Sequence, residues 1–244
     1  MMLSVVIPAH NEEDSVGATV AAIYAKLHSE KINHEILVVN DHSTDKTGEI
    51  LKTMLQSIPT LAVYDNEYSN GYGTAVRYGL ERFRGECVAI MMADLSDSPD
   101  DLVKFYRKML EGFDCVFGSR FIRGGVATNY PPVKLFLNRL ANNFVRVAFG
   151  IKYNDVTNAF KMYHRRTIEG LKPLLAPHFN LTLELPLKAI VRGYTYEVLP
   201  NSWTHRTKGM SKLKIKEMGS RYFFIFLYCL IEKYFSRGDF KKGK

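Results

Sequence analysis

Residues 3–14 read LSVVIPAHNEED, and this stretch decides the fold. Leu3–Ile7 is a short apolar run, rich in β-branched residues and ended by Pro8, which predicts a buried strand. Apolar residues then recur with helical spacing over Glu12–Leu27, with acidic residues in the predicted first turn. The stretch therefore predicts a strand, a short polar loop and a helix, which together form one unit of a parallel sheet.

The same unit recurs along the first half of the chain. Further strands are predicted at Glu35–Asn40, Leu61–Tyr64, Cys87–Met92 and Asp114–Gly118. Helices are predicted through Leu55 with Ser43 or Thr44 as N-cap, over Gly73–Phe83, and after Ser98 as an N-cap followed by Pro99. This alternation predicts an α/β fold, an open and mostly parallel sheet with helices on both faces.

Polar loops follow three of the predicted strands. They are Pro8–Glu12, Asn40–Ser43 and Ala93–Asp97, and each carries a carboxylate. Because ligands of such sheets bind at the carboxyl ends of the strands, we expect these loops to meet at one site. No glycine-rich phosphate cradle follows the first strand and no P-loop is present, which argues against a dinucleotide-dependent dehydrogenase or a P-loop NTPase. The pattern favours a nucleotide held by acids and polar loops, with a metal ion on its diphosphate.

The composition is that of an ordinary globular protein. Of the 244 residues 46% are apolar and 24% charged, which excludes collagen-like and disordered classes. This length fits one large domain or two small ones. The three cysteines have no metal-like spacing and cannot all pair, so we expect a reducing compartment. The N-terminus lacks the basic and apolar regions of a signal peptide.

The positive charge lies at the C-terminal end. The formal net charge is +8, and residues 203–244 hold 11 Lys and Arg against three Asp and Glu. The preceding part of the chain is therefore neutral overall. A basic end of this kind is typical of contact with phosphates, nucleic acid or an anionic membrane, and a solvated tail is the alternative.

An apolar segment lies inside this basic end. Tyr222–Ile231 has no charged residue but is too short to span a bilayer, which needs about 20 residues. Extended through Phe235, it predicts a helix that lies in the interface of an anionic membrane. The alternative is a helix packed on the domain or on a second subunit.

Several motifs resemble those of a known enzyme family. They are SVVIPAHNEE, ILVVNDHSTDKT, NGYGTAVRYGL, MMADLSDSPDDL and FGSRF, then NDVTNAFKMYHR, LELPLKAIVRGYTYEVLPNSW and HRTKGMSKL. The first five resemble glycosyltransferase family 2, which has the GT-A (Rossmann-like) fold, and the last three resemble its polyprenyl (dolichyl) phosphate mannose synthase branch. We accordingly expect a GT-A domain over residues 1–214 and a membrane- or partner-contacting segment over residues 215–244.

The resemblance implies a reaction, a cofactor and a location. The branch transfers a hexose, with inversion, from a nucleotide diphosphate sugar to a polyprenyl (dolichyl) phosphate, and it uses Mg²⁺ or Mn²⁺. Mannose from GDP-mannose is the foremost donor that it implies, and glucose from UDP-glucose is the alternative. The location implied is the cytoplasmic face of a membrane, held peripherally through an anionic membrane surface or a membrane partner protein.

The resemblance also implies metal ligands. Asp94 matches the family's metal-binding aspartate, and Ser96 falls where a glutamine helps to coordinate. Met92 stands where the family has another aspartate, and a thioether is a poor ligand for either ion. Either the ion keeps more water or Asp97 compensates.

Residues for the donor and the acceptor are implied in the same way. The family's nucleoside-binding positions correspond to Pro8, Ala9, Asn11, Glu12 and Asp41. Cations implied for the acceptor phosphate are Arg120, Lys134 and Arg206, with Arg139 as a fallback. A late basic loop that closes over the donor diphosphate corresponds to Arg206, Ser211 and Lys212. We expect Asp94 and the three acceptor cations to take part in catalysis.

Two further motifs hold charged residues. Glu184 matches a family acid within a leucine-rich stretch, so we expect it to have a role or a charged partner. Asp155 and Lys161 lie in a motif where Asn158, Ala159 and Lys161 replace serine, glycine and arginine, which predicts altered acceptor contacts.

Other functions remain open at the level of the sequence. A family 2 transferase could act on a glycan, although a neutral acceptor has no need of Arg120, Lys134 and a basic tail. A non-catalytic binding protein is supported only by Met92. The neutral body and the missing recognition motif argue against nucleic acid, so we expect no nucleic-acid partner.

Overall fold

The fold is built from nine strands and eight helices in the described part of the chain. The computed structural model describes residues 1–205 and 215–243. The strands are β1 Leu3–Ala9, β2 His34–Asn40, β3 Leu61–Asp65, β4 Cys87–Ile90, β5 Cys115–Ser119, β6 Val126–Thr128, β7 Lys161–His164, β8 Tyr196–Pro200 and β9 Ser202–Thr204. The helices are α1 Val16–Ser29, α2 Thr47–Met54, α3 Tyr72–Leu80, α4 Pro99–Met109, α5 Pro132–Phe149, α6 Arg165–Leu171, α7 Leu181–Val191 and α8 Ile215–Phe235.

Seven strands form one mostly parallel sheet, which confirms the predicted fold class. Their order is β3-β2-β1-β4-β7-β5-β8, and β6 and β9 form a separate two-stranded sheet. All neighbours in the large sheet run parallel except those of β7. The strand order reverses between β1 and β4, which is where open α/β sheets form their ligand crevice.

The antiparallel strand β7 is absent from the sequence prediction. It runs between β4 and β5 and pairs with both. Its four residues, KMYH, begin with the fully buried Lys161, whose ammonium group donates to the carbonyl oxygens of Val156, Asn158 and Thr182. A short strand that opens with a buried lysine has neither the length nor the alternation by which strands are recognised.

Two predicted helix starts are wrong. Helix α1 begins at Val16 rather than Glu12, and α2 begins at Thr47 rather than directly after Ser43 or Thr44. The intervening residues are held by hydrogen bonds between the two loops, because the Glu12 N–H donates to the Thr47 hydroxyl at 2.8 Å. The acids predicted for the first turn of α1 therefore belong to a loop. The predicted start of α4 is confirmed, since the Ser98 hydroxyl accepts the Asp100 N–H.

Both faces of the sheet are buried. One apolar cluster includes Val20 of α1 and Phe105 of α4, and the other includes Val76 of α3 and Leu185 of α7. Parallel strands covered on both faces read as continuous apolar runs, which explains why they were predictable. Helix α8 packs one side against α7, with Ile225 in the second cluster. Within the described ranges, no helix is both long enough and apolar enough to cross a bilayer.

Candidate functional site

A cavity of about 480 Å³ lies at the carboxyl ends of β1, β2, β4 and β5. Its walls come from the polar loops that the sequence placed there, together with segments from the second half of the chain. Predicted site residues that line it are Pro8, Ala9, Glu12, Asp41, Asp94, Ser96 and Arg120. The carboxyl-end rule therefore located the cavity correctly.

Asp41 organises one wall of the cavity. Its buried carboxylate accepts hydrogen bonds from the Asn66 amide at 2.7 Å and from the Gly71 N–H at 2.9 Å. The Asp41 carbonyl oxygen lies 2.5 Å from His10 Nδ1 and accepts a hydrogen bond from Asn70 at 3.2 Å. These contacts fix the end of β2 against the loop before α3, so Asp41 shapes the wall in addition to facing the cavity.

Asn11 does not line the cavity, in contrast to its neighbours. Its N–H donates to the Ser43 hydroxyl at 3.0 Å, and its side-chain oxygen accepts the Thr44 N–H at 2.7 Å. Its φ of 52° lies in the left-handed region, which asparagine tolerates better than most residues. Asn11 therefore locks two loops together, and Glu12 is placed by that lock.

The loop after β4 gathers the residues implied for the metal. Asp94 and Ser96 line the cavity with Met92 and Asp97, and the Asp94 carboxylate accepts the Ser96 N–H at 3.2 Å. The Ser96 hydroxyl is buried and has no hydrogen-bond partner among the described residues. Burial raises the pKa of the Asp97 carboxyl to about 7, against the lowering effect of the Met92 N–H. This wall thus offers one carboxylate, one unpaired hydroxyl and one carboxyl that is easily protonated.

Arg120 also lines the cavity and is held rigidly. Its guanidinium donates to both oxygens of the fully buried Asp155 carboxylate, at 2.7 and 2.8 Å. The rings of Tyr130 and Trp203 lie 5.4 and 5.3 Å from its central carbon. Burial alone would lower the pKa of Arg120, but the ion pair with Asp155 raises it above its ordinary value. Asp155, in the motif that the sequence singled out, therefore orients and partly neutralises this cation.

Of the other predicted cations, neither Lys134 nor Arg139 lines the cavity with Arg120. Lys134 lies in the first turn of α5 but does not line the cavity. Arg139 donates to the Asn154 carbonyl oxygen at 3.0 Å and lies over the Phe121 ring, so it belongs to the scaffold. Arg206 and Lys212, like Ser211, lie outside the described residues.

Glu184 has the partner that its burial required. It forms an ion pair with Lys188 at 2.6 Å, and both side chains are fully buried. Its carboxylate also accepts the N–H groups of Leu175 and Ala176. Glu184 is not among the residues around the cavity, so its role is to fix the segment before α7.

Several aromatic and basic residues of the site were missed by sequence reasoning. Tyr72 stacks on Phe179 with ring centroids 4.4 Å apart, and the single tryptophan, Trp203, stacks on His205 at 5.6 Å. Arg221, at the start of the apolar segment of α8, also lines the cavity. No local sequence pattern identifies the aromatic residues as part of the site. Arg221 could have been found, because it is the cation directly before the apolar segment Tyr222–Ile231.

The sequence is similar to that of a known enzyme family and of two of its members. The model of glycosyl transferase family 2 matches residues 4–171. The chain is 29% identical to a polyprenol monophosphomannose synthase from Mycolicibacterium smegmatis, over 86% of this chain and 80% of the relative. It is 28% identical to a dolichol-phosphate mannosyltransferase from Pyrococcus furiosus, over 88% of this chain but only 60% of the relative.

The fold is shared with solved structures of much lower identity. A glucosyl-3-phosphoglycerate synthase from Mycobacterium tuberculosis, solved with uridine diphosphate, superposes with a TM-score of 0.70 at 17% identity. The match covers 94% of this chain and 80% of that chain. The residues that match the family model, 4–171, span β1 to α6 and include the loops that carry Asp41, Asp94 and Arg120. On this evidence the chain belongs to glycosyl transferase family 2, and its curated relatives place it beside the polyprenyl phosphate mannose synthases.

Proposed function

We propose that this glycosyltransferase moves a hexose, foremost mannose from GDP-mannose, onto the phosphate of a polyprenyl (dolichyl) phosphate. One observation carries the proposal: a single cavity is lined both by Asp94 and by the cations Arg120 and Arg221. A donor diphosphate beside Asp94 (the acidic wall) and an acceptor phosphate beside Arg120 (the cationic wall) would therefore share one cavity. The two mannosyl-transferring relatives support this choice of substrates.

The residues at the acidic wall fit a Mg²⁺ or Mn²⁺ ion. No group of three His, Cys, Asp or Glu residues forms a metal cage within residues 1–205 and 215–243. Mg²⁺ is commonly bound through one or two carboxylates plus substrate phosphates, so Asp94 with the unpaired Ser96 hydroxyl suffices. When bound, the ion would neutralise the charge that develops on the leaving diphosphate. Met92 in place of a second carboxylate makes ion binding depend on the donor.

Pro8, Ala9, Glu12 and Asp41 would hold the nucleoside. They lie together on the wall formed by β1 and β2, and the Asp41 contacts to Asn66 and Gly71 give that wall a fixed shape. Tyr72, the first residue of α3, follows Gly71 directly and adds an aromatic ring to the cavity lining.

The acceptor needs orientation rather than activation. A phosphate monoester has a second pKa of about 6, so its oxygen is ionised at neutral pH and attacks without a general base. The chemical requirement is to bring one anion towards another, and Arg120, held by Asp155, provides a fixed cation for this. Arg206 and Lys212 are proposed as further phosphate contacts, and so is Lys134, although it lies in the first turn of α5 outside the cavity lining. A single in-line attack would invert the anomeric centre.

The acceptor also suggests where the enzyme works. A polyprenyl chain resides in a membrane, so we propose a peripheral location at the cytoplasmic face. The basic residues 215–244 would provide the contact, either with anionic lipid or with a membrane partner protein.

The direct test uses two donors in parallel. Purified protein is incubated with Mg²⁺ or Mn²⁺, a short polyprenyl phosphate, and either GDP-mannose or UDP-glucose, and the lipid fraction is analysed by mass spectrometry. We expect a lipid-linked hexose from GDP-mannose. If only UDP-glucose gives a product, UDP-glucose replaces GDP-mannose as the donor. If neither donor gives a product although the nucleotide still binds, the proposal is overturned.

A further inference from the structure

The two cations that line the cavity differ in how far the protein neutralises them. Arg120 forms an ion pair with Asp155 at 2.7 Å, and both side chains are buried, so the pair as a unit carries no net charge. Arg221 has no carboxylate within ion-pair distance among residues 1–205 and 215–243. Arg221 therefore brings an uncompensated positive charge to the described part of the lining.

The acidic residues of the lining make this charge important. Four carboxyl side chains line the same cavity, those of Glu12, Asp41, Asp94 and Asp97. A phosphate monoester carries about two negative charges at neutral pH, so such a cavity repels it unless a cation faces it. A divalent ion at Asp94 would offset the donor diphosphate rather than the acceptor. Since the Arg120 pair has no net charge, the attraction for the acceptor must come from another cation.

The backbone at Arg221 is tied to the wall of the cavity. The Asn180 amide donates to the Arg221 carbonyl oxygen at 3.3 Å, and the hydroxyl of the next residue, Tyr222, donates to the Phe179 carbonyl oxygen at 2.9 Å. Phe179 and Tyr222 line the cavity themselves. These contacts join α8 to the segment before α7, so the tertiary fold fixes where Arg221 enters the cavity.

Arg221 has the position that Lys134 lacks. Lys134, which the sequence implied as a second phosphate contact, lies in the first turn of α5 and does not line the cavity. An arginine also suits a phosphate better than a lysine, because its planar guanidinium donates two parallel hydrogen bonds to two oxygens. Charge, donor geometry and position thus coincide at Arg221.

We propose that Arg221 is a catalytic residue that contacts the phosphate of the lipid acceptor and supplies the charge that attracts it, while Arg120 aligns it. The inference rests on the proposed function for its substrate and deepens it by naming the residue that binds the acceptor anion. It also gives the C-terminal helix a role inside the cavity.

The transfer step defines what Arg221 does. An acceptor phosphate oxygen forms a bond to the anomeric carbon while the bond from that carbon to the donor diphosphate breaks, and the diphosphate keeps the electron pair. No proton moves, because the acceptor is already ionised. The acceptor loses one negative charge when it becomes a phosphodiester, so Arg221 binds the acceptor more tightly than the product. We therefore expect its effect mainly on the KM for the acceptor.

The first test separates the acceptor from the donor, with a short, water-soluble polyprenyl phosphate as the probe. We expect Arg221→Gln to raise the acceptor KM by at least about tenfold, because hydrogen bonds to a charged group contribute that much to affinity. Nucleotide binding, followed through the fluorescence of Trp203, should be unchanged, which also shows that the variant is folded. Arg123→Gln is the matched control, since it removes an exposed positive charge outside the lining and should alter neither constant.

Two results of this test would overturn the inference. One is an acceptor KM of Arg221→Gln equal to that of the wild type. The other is weaker nucleotide binding by Arg221→Gln with an unchanged acceptor KM, which would assign Arg221 to the donor.

The second test varies the charge of the acceptor. The phosphate gains its second negative charge as the pH rises through about 6, so the affinity of the wild type for the acceptor should rise over this range. The rise should be smaller in Arg221→Gln and should persist in Arg221→Lys, which keeps the cation. Titratable groups common to all three proteins contribute equally to the three curves. An equal rise in all three would overturn the inference, because a purely structural role of Arg221 predicts it.

Failure of the inference differs from failure of the proposed function. Calorimetry measures binding of the short polyprenyl phosphate without a donor, so this readout needs no turnover. If wild type and Arg221→Gln form product with equal acceptor KM, the inference alone is rejected. If the wild type binds the acceptor more tightly than Arg221→Gln but forms no lipid-linked hexose, the proposed function alone is rejected.

Discussion

Asp94 is presented to the cavity by a loop that is anchored on both sides of it. The Thr19 hydroxyl of α1 accepts the Leu95 N–H at 3.2 Å. On the other side, the Met92 N–H donates to the Asp97 carboxylate at 3.1 Å. Because the protein itself holds this backbone, substitution of the Asp94 side chain should change ion binding without unfolding the loop.

The metal assignment predicts a large effect at Asp94. We expect Asp94→Asn to lower metal-dependent transfer by at least about 100-fold, since a neutral amide is a weak ligand for a hard cation and cannot offset phosphate charge. Asp100→Asn is the matched control, because that exposed carboxylate pairs with Lys26 on the protein surface. Initial rates of nucleotide release at saturating Mg²⁺ measure the effect, and wild-type rates for Asp94→Asn would refute the assignment.

The ion pair behind the cationic wall predicts a stability effect. Asp155→Asn would leave the buried Arg120 guanidinium uncompensated, so we expect the free energy of unfolding to fall by about 3–5 kcal/mol. Glu111→Gln breaks an exposed ion pair with Lys108 and should lower the free energy of unfolding by less than about 1 kcal/mol. Urea unfolding followed by tryptophan fluorescence compares the two, and similar small losses would show that the pair is not buried as described.

At the scale of elements, α3 and the segment before α7 together position two aromatic rings of the cavity. Tyr72 of α3 stacks on Phe179, and backbone carbonyl groups of that segment pack closely against the first turn of α3. Glu184 fixes the segment through the N–H groups of Leu175 and Ala176. The buried charge pair of α7 thus acts on the cavity through packing.

A close approach at Gly73 tests this packing. A Cβ atom at Gly73 would lie 2.4 Å from the Ala176 carbonyl oxygen, a backbone atom that can give way only if the chain itself shifts. We expect Gly73→Ala to lower the free energy of unfolding by about 1–3 kcal/mol and to weaken nucleotide binding. Gly219→Ala, on α8 with open space around it, should instead stabilise by about 0.5–1 kcal/mol. Thermal unfolding of both variants measures these changes. A stability of Gly73→Ala equal to that of the wild type would contradict this packing.

Asp114 ties β5 to α6, β8 and the C-terminal residues, and this predicts a pH dependence. Burial alone would raise its pKa, but hydrogen bonds from Lys242, Thr195 and Arg166 outweigh burial and lower the pKa to about 2. The unfolded value is about 3.9, so the stabilisation is complete above about pH 4 and is lost as the pH falls through 2. We expect Asp114→Asn to be less stable than wild type at pH 7.

The same pair of proteins gives the check on sign. The difference in urea midpoint between wild type and Asp114→Asn should shrink as the pH falls from about 4 to 2, because protonation then removes the advantage of the carboxylate. A difference that stays constant over this range would show that Asp114 is not the titrating group.

At the scale of the whole molecule, the predictable part of the structure is the part encoded locally. Strands β1 to β5 are apolar runs followed by polar loops, so their order and the position of the cavity could be read from the sequence. Strand β7 could not, because a buried lysine satisfied by three carbonyl groups depends on contacts made by distant segments. The helix starts of α1 and α2 failed for a similar reason, since two loops bind each other.

The site divides in the same way. Asp41 and Asp94 lie in the loops that follow β2 and β4 and were predicted, whereas Tyr130, Trp203 and Arg221 reach the cavity only through the tertiary fold. The basic C-terminal end stays a prediction as a contact surface.

The central claim is that this cavity transfers a hexose onto a lipid phosphate, and one comparison tests it most directly. Wild-type protein with Mg²⁺ and GDP-mannose is given a polyprenyl phosphate or the polyprenol of equal length, and products are measured by mass spectrometry. We expect a mannosylated lipid from the phosphate only, since the proposed attacking oxygen and the proposed contact with Arg120 both belong to the phosphate group. Equal product from the polyprenol, or a product on a neutral glycan alone, would contradict the account.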